Sequence, residues 1–211
     1  MRTAIKILLI LTLFSTNVCA QTVVSEKDQK PIIEKIEKTA STMKSMQCDF
    51  VQTKTMKMLS KKMVSSGVMY FKSKDKLRWQ YKTPYDYTFL MNGGNVKIKS
   101  AKSTQNINVQ NNKMFRQITN VIIGSITGGT LKDSQEFKAE LIKTGNNYSV
   151  RLTPKKKEIK QIFNTIEIFF NAGLTMVSSV RMIEKTGDVT VVELKNVKVN
   201  ATISDNIFSL N

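Results

Sequence analysis

The chain has 211 residues, with 33 Lys+Arg against 16 Asp+Glu, a net charge of +17 and no histidine. Its length suits one core and is short for two domains. Without histidine, the commonest general base and metal ligand are missing, which removes His-dependent hydrolysis and His-bearing zinc sites from consideration.

Residues 1–20, "MRTAIKILLILTLFSTNVCA", open with Arg2 and Lys6, turn apolar from Ile7 to Phe14 and end in Val18-Cys19-Ala20. This is the pattern of a secretory signal peptide cleaved after Ala20, with an apolar run too short to span a bilayer. In a rival reading Cys19 becomes the acylated first residue of a lipoprotein, but Val18 stands where that signal carries Gly, Ala or Ser. Cleavage after Ala20 leaves a single domain, 21–211, exported to the periplasm, with Cys48 as its lone thiol and no internal disulfide. The positive charge suits anionic membrane surfaces or acidic partners. Export weighs against nucleic acid.

Ser25 to Ser45 has helical spacing. Ser25 is a candidate N-cap with Asp28 three residues later. Pro31 then predicts that the regular helix starts near itself. Ile32, Ile33, Ile36, Ala40 and Met43 form one apolar stripe. Nearly everything afterwards reads as strand: Cys48 to Met58, Lys62 to Lys72, Leu77 to Lys82, Tyr87 to Met91 and Val96 to Lys99. "MNGGNV" is a hairpin turn, since Asn and Gly tolerate positive φ. Lys113 to Ile126 interrupts the meander with Met114, Ile118, Val121, Ile122 and Ser125 at helical intervals. Strands resume at Phe137 to Lys143, Tyr148 to Thr153, Ile159 to Asn171, Leu174 to Lys185 and Asp188 to Asn200. An antiparallel sheet this long curls. The expected fold is therefore α+β, mainly β: a strongly curved antiparallel sheet, an incomplete β-barrel, with helices plugging or lidding the concave face.

Motifs for chemistry are missing. There is no His/Cys cluster, Gly-rich phosphate loop or nucleophile elbow, and the carboxylates Asp49, Glu136, Glu140, Glu158, Glu167, Glu184 and Glu193 read as solvated strand faces. The expectation is a binding protein, not an enzyme, with no cofactor and no metal. The apolar residues say more. The chain has eleven methionines, a residue that fills irregular space and recurs at adaptable greasy surfaces. With Phe71, Leu77, Trp79, Tyr81 and Phe89, they fit either ordinary core packing or a plastic apolar cavity for long alkyl chains.

Three stretches carry a resemblance: "CDFVQTK" (Cys48 to Lys54), "SGVMYFKSKDKLRWQYKTPYDYTFLMNGGNV" (Ser66 to Val96) and "YSVRLTPKKKEIKQIFNTIEIFFNAGLTMVSSVRMIEKTGDVTVVELKNVKVN" (Tyr148 to Asn200). Their order and spacing, with Phe50, Gln52, Gly67, Lys72, Arg78, Trp79, Tyr81, Pro84 and Gly93 at the motif positions, resemble the outer-membrane lipoprotein carrier (LolA) family. The closing "SDNIFSL" is similar to that family's end.

The resemblance implies an incomplete barrel whose cavity holds the acyl chains of lipoproteins. These are collected from an inner-membrane ABC exporter and carried, by a monomer, across the periplasm to an outer-membrane acceptor. It implies an acyl-chain cleft at Phe50, Met69, Phe71, Leu77, Trp79, Tyr81, Phe89 and Met91, and a lid at Met114, Ile118, Val121 and Ile122. One position departs: where the family carries Lys-Arg-Pro, with the Arg latching the lid, this chain has Lys72-Ser73-Lys74. Ser73 has no guanidinium fork, which leaves Lys74 or Arg78 as substitutes. A lipid-binding or sensing protein of the same shape, with a different (glyco)lipid cargo, is the alternative.

Overall fold

The structure, a computed structural model, describes residues 21–72, 75–93, 95–108, 123–124 and 135–209. The leader reading of 1–20, Ser73 and Lys74, and the predicted lid residues Met114, Ile118, Val121 and Ile122 lie outside the described residues.

Helix α1, Glu26–Thr42, begins five residues before the predicted start. The local cap overrides Pro31. Ser25 adopts extended backbone, its Oγ accepts from the Asp28 N–H at 3.3 Å, and it donates to the Asp28 carboxylate at 2.6 Å. Two acidic residues in the first turn, Glu26 and Asp28, suit the positive end of the helix. Pro31 forfeits one intrahelical bond but does not end the helix.

Twelve strands make up the sheet: β1 Gln21–Val23, β2 Ser45–Met56, β3 Lys61–Lys72, β4 Lys76–Thr83, β5 Tyr87–Asn92, β6 Asn95–Ser100, β7 Thr104–Asn108, β8 Phe137–Thr144, β9 Asn147–Pro154, β10 Phe163–Phe170, β11 Val177–Glu184 and β12 Val189–Val199. Their order is β1-β8-β9-β10-β11-β12-β2-β3-β4-β5-β6-β7, every pairing antiparallel. Among the described residues β1 and β7 are its two edges, each paired on one side, and the sheet is an open, curved incomplete barrel, as the sequence predicts. Asn92 pairs with Asn95 across a two-residue turn in which Gly93 has φ +61°, the geometry expected of "NGG".

Two expectations change. The long strand predicted over Ile159 to Asn171 is broken: a short helix α2, Lys157–Lys160, buries Ile159, and β10 starts only at Phe163. The sequence reading also omits β1 and β7.

The two faces are unequal. On the inner face Ile36 of α1 joins one large core with the inward residues of β2 to β6 and β8 to β12, and Ile123 packs against it. On the outer face the tail folds back as a 3-10 turn, Asp205–Phe208. There Ile203 and Phe208 close a small core over Leu90, flanked by Tyr70 and Ile207. Lys72 and Lys76 both donate to Asp205 at 2.9 Å and hold its carboxyl below the usual range. Among the described residues no helix is long and apolar enough to cross a membrane.

Candidate functional site

Strand pairing sets the inner face in rows. Reading across β2 to β6, one row is Met46, Phe71, Leu77, Met91 and Val96; the next is Cys48, Met69, Trp79, Phe89 and Ile98; a third is Phe50, Gly67, Tyr81 and Tyr87. The alternation of period two that marks "LRWQYK" in the sequence thus repeats on every neighbouring strand. All eight residues predicted for the cleft fall on this face. Phe50, Met69, Phe71, Leu77, Trp79 and Met91 are buried, and Tyr81 and Phe89 are half-buried at the margin.

Aromatic rings tie the rows together. Phe50 lies 4.5 Å from Trp79 at 41° and 5.1 Å from Tyr81 edge-on; Tyr81 reaches Tyr87 at 6.0 Å. These are the tilted and edge geometries that ring quadrupoles favour. Gly67 makes room for them. A Cβ there would overlap the Gln80 carbonyl oxygen and come within 2.9 Å of the Phe50 ring.

Polar groups on this face are few. Tyr81 Oη donates to Gln52 Oε1 at 2.9 Å. Burial raises the Tyr81 phenol above its ordinary pKa, and the neighbouring Trp79 and Gln52 side chains offset part of that rise. Trp79 Nε1 lies close enough to Tyr81 to favour a phenolate, but no acceptor meets hydrogen-bond geometry. Among the described residues it is a buried side-chain donor without a partner, in a residue only 8% exposed. Such a group costs free energy unless something accepts its proton. Cys48 is buried, and burial first, then neighbouring Asp49, pushes its thiol up to about 12. It is a packed thiol, and burial disfavours the thiolate that a nucleophile needs.

Arg78, named as a substitute latch, points to the other face. Its guanidinium donates to Gln80 Oε1 at 3.3 Å and to the Ile207 carbonyl at 3.0 Å, so it pins the tail. An open cleft of about 600 Å³ lies between α1 and β8, lined by Val24, Ile33 and Ala139 with Glu26, Lys30, Glu34 and Lys138. None of the eight predicted residues lines it. The cleft predicted from the sequence leaves out Met46, Val96, Ile98 and Gln52, which share the inner face. The parity of Phe50 carried two residues either way reaches Met46, Cys48 and Gln52, and the register of the Asn92 turn reaches Val96.

An open antiparallel sheet wrapped around a helix, with an aromatic and methionine-rich inner face, defines a class of half-barrel domains. The model of the outer membrane lipoprotein carrier protein LolA matches residues 41–211, and the chain belongs to that family. No curated protein matches it. Among solved structures, the Pseudomonas aeruginosa MucA/MucB complex is similar with a TM-score of 0.51 at 10% identity, over 87% of this chain and 61% of that one. An uncharacterized conserved protein from Thermus thermophilus is similar with a TM-score of 0.50 at 7% identity, over 87% and 94% of the two chains. A LolA superfamily protein from Nitrosomonas europaea has a TM-score of 0.46 at 12% identity, over 85% and 96%. At these identities the likeness is one of fold.

Proposed function

We propose that the chain is a periplasmic carrier that shelters the acyl chains of lipoproteins against its inner face and conveys them from the inner to the outer membrane. On this reading Phe50, Met69, Phe71, Leu77, Trp79, Tyr81, Phe89 and Met91 are the acyl-chain surface, and the segment holding Met114, Ile118, Val121 and Ile122 is the lid. An inner-membrane ABC exporter loads the carrier, an outer-membrane acceptor unloads it, and no bond is made or broken. The observation that carries the reading is the inner face itself: rows of methionine and aromatic side chains, Trp79 among them, on a sheet whose edges stay open among the described residues. Membership of the carrier family supports it. Each CH₂ moved out of water contributes roughly 0.8 kcal/mol, so alkyl chains alone supply affinity.

The test is to purify the protein from the periplasm and identify what travels with it by mass spectrometry, then to titrate a fluorescent-silent acyl probe while recording Trp79 emission. Acylated polypeptides in the purified material and a shifted emission are expected. No lipid-bearing species and a silent Trp79 would return the inner face to plain core. Ser73 in place of the family's latching Arg favours one second reading, the same surface with a different (glyco)lipid cargo. Free lipids without acylated polypeptide would select it.

A further inference from the structure

The β2–β3 hairpin ends in an apolar tip that the fold leaves bare. Met58 is 90% exposed, Leu59 68%, Val64 58% and Met63 39%; of the six large apolar residues exposed among the described residues, these four fall within one seven-residue stretch. Register explains the exposure. β3 pairs with β4 only from Ser66, opposite Thr83, so Lys61 to Ser65 project past the end of β4. On the other side β12 supports β2 as far as Thr55, opposite Val189. The tip is nonetheless held: the Lys57 N–H donates to Asp188 Oδ1 at 3.1 Å, and Ser60 turns the chain with φ +46°.

Charge surrounds the tip. Lys57, Lys61 and Lys62 are exposed, and among the described residues no ion pair holds them. The nearby acids Glu184 and Asp188 are engaged by Lys54, at 2.8 and 3.7 Å. Pairing also brings the β4–β5, β6–β7 and β11–β12 turns to this end of the sheet, since Tyr87 pairs with Ser100 and Val189 with Thr55. Those turns and the strand ends beside them bring Lys82, Lys99, Lys102 and Lys185, against Asp86.

We propose that this hairpin end is a membrane-docking element, placing Met58 and Leu59 among the lipids of an anionic bilayer while Lys57, Lys61 and Lys62 meet its headgroups. Two exposed apolar side chains at a turn, flanked by long cationic ones, match the layering of an interface: hydrocarbon innermost, charge outside it, the lysine stems lying along the boundary. A protein partner fits less well. The apolar residues lie at a tip and on both faces, with Met63 opposite Lys54 and Val64 opposite Thr53, so they form no groove. Lysines on the free edge also discourage an added strand. The docking site is separate from the inner face and stands whatever that face carries.

The test is co-sedimentation of the chain from residue 21 onward with vesicles of phosphatidylcholine, with and without phosphatidylglycerol. Binding to the anionic vesicles and little to the neutral ones is expected. Met58→Ser with Leu59→Ser should weaken that binding by about tenfold or more, from the lost apolar burial. Lys57→Gln, Lys61→Gln and Lys62→Gln together should weaken it by about a hundredfold, each charge contributing roughly fivefold. Val23→Ser, at an exposed apolar residue on the far edge strand β1, should change nothing. The proposal is overturned if the wild type ignores anionic vesicles, or if the Met58/Leu59 variant binds them equally, which would reduce the contact to bulk charge. A vesicle-free dimer abolished by the same variant would overturn it too, making the occupant a second copy.

Discussion

β2 and β3 form one hairpin with two opposite fates. They pair without a break from Ser45 opposite Lys72 to Met56 opposite Lys61. At the base, Met46, Cys48, Phe50, Met69 and Phe71 are buried; at the tip, Met58, Leu59, Met63 and Val64 face water. The apolar residues alone hardly distinguish the two ends, since both carry methionines, although lysines surround the tip. What differs is the neighbour. β4 stops opposite Ser66, and the inner core stops with it. Burial here is set by the length of the adjacent strand, and a period-two pattern announces a face without saying what will cover it.

The buried end is most sensitive at Gly67, one residue inside the end of the β3–β4 pairing at Ser66. Gly67→Ala would drive a Cβ into the Gln80 backbone and the Phe50 ring together. We expect a loss of about 3 kcal/mol or more in urea unfolding, because a backbone contact cannot step aside as a side chain does. Adding Phe50→Leu should not rescue it, since the Gln80 carbonyl stays in place. A Gly67→Ala protein of wild-type stability would show that β3 and β4 are not packed as closely as described.

A smaller effect sharpens the buried side of the contrast. With its thiol pushed up to about 12, Cys48 holds on the order of a thousandfold less thiolate at pH 8 than an unperturbed cysteine of pKa 9.0. Native protein should therefore resist iodoacetamide and label only after unfolding. The folded pKa lies above the unfolded one, so the thiol's stabilising contribution is complete below about pH 9 and is lost as pH rises toward about 12. Cys48→Ala should flatten that alkaline fall only in part, because Tyr81 and Tyr87, both raised by burial, lose stability in the same direction. Rapid native labelling would place Cys48 at the surface.

Much of this was legible in the chain because the physics is local. The alternation around Trp79, the Asn92-Gly93 turn and the Ser25–Asp28 cap each declare themselves within a few residues, and the structure keeps all three. What was hidden depends on distant partners. β1 is three residues that exist as a strand only because Gln21 to Val23 find β8. The outer core needs Phe208 to return over Leu90 from more than a hundred residues away. Arg78 stands in sequence as a substitute for the lid latch, yet the same returning tail occupies it. The exposed tip is of this kind: nothing in "MKMLSKKMV" reveals that β4 ends early.

The smallest expected effect is the one that separates the two ends of the hairpin most cleanly. Met58→Ser with Leu59→Ser removes apolar groups that contribute almost nothing to the folded core, since water already surrounds them. Unfolding free energy should stay within about 0.5 kcal/mol of wild type, the range of surface substitutions. The urea dependence should also be unchanged, because the surface exposed on unfolding is nearly the same. Met46→Ser with Cys48→Ser, on the same strand, should cost several kcal/mol, in line with about 2–5 for a buried methionine truncated. If the tip pair destabilises the protein as the base pair does, Met58 and Leu59 are covered in solution and the hairpin end is core. If stability holds while vesicle binding falls, the two apolar residues serve an association outside the fold.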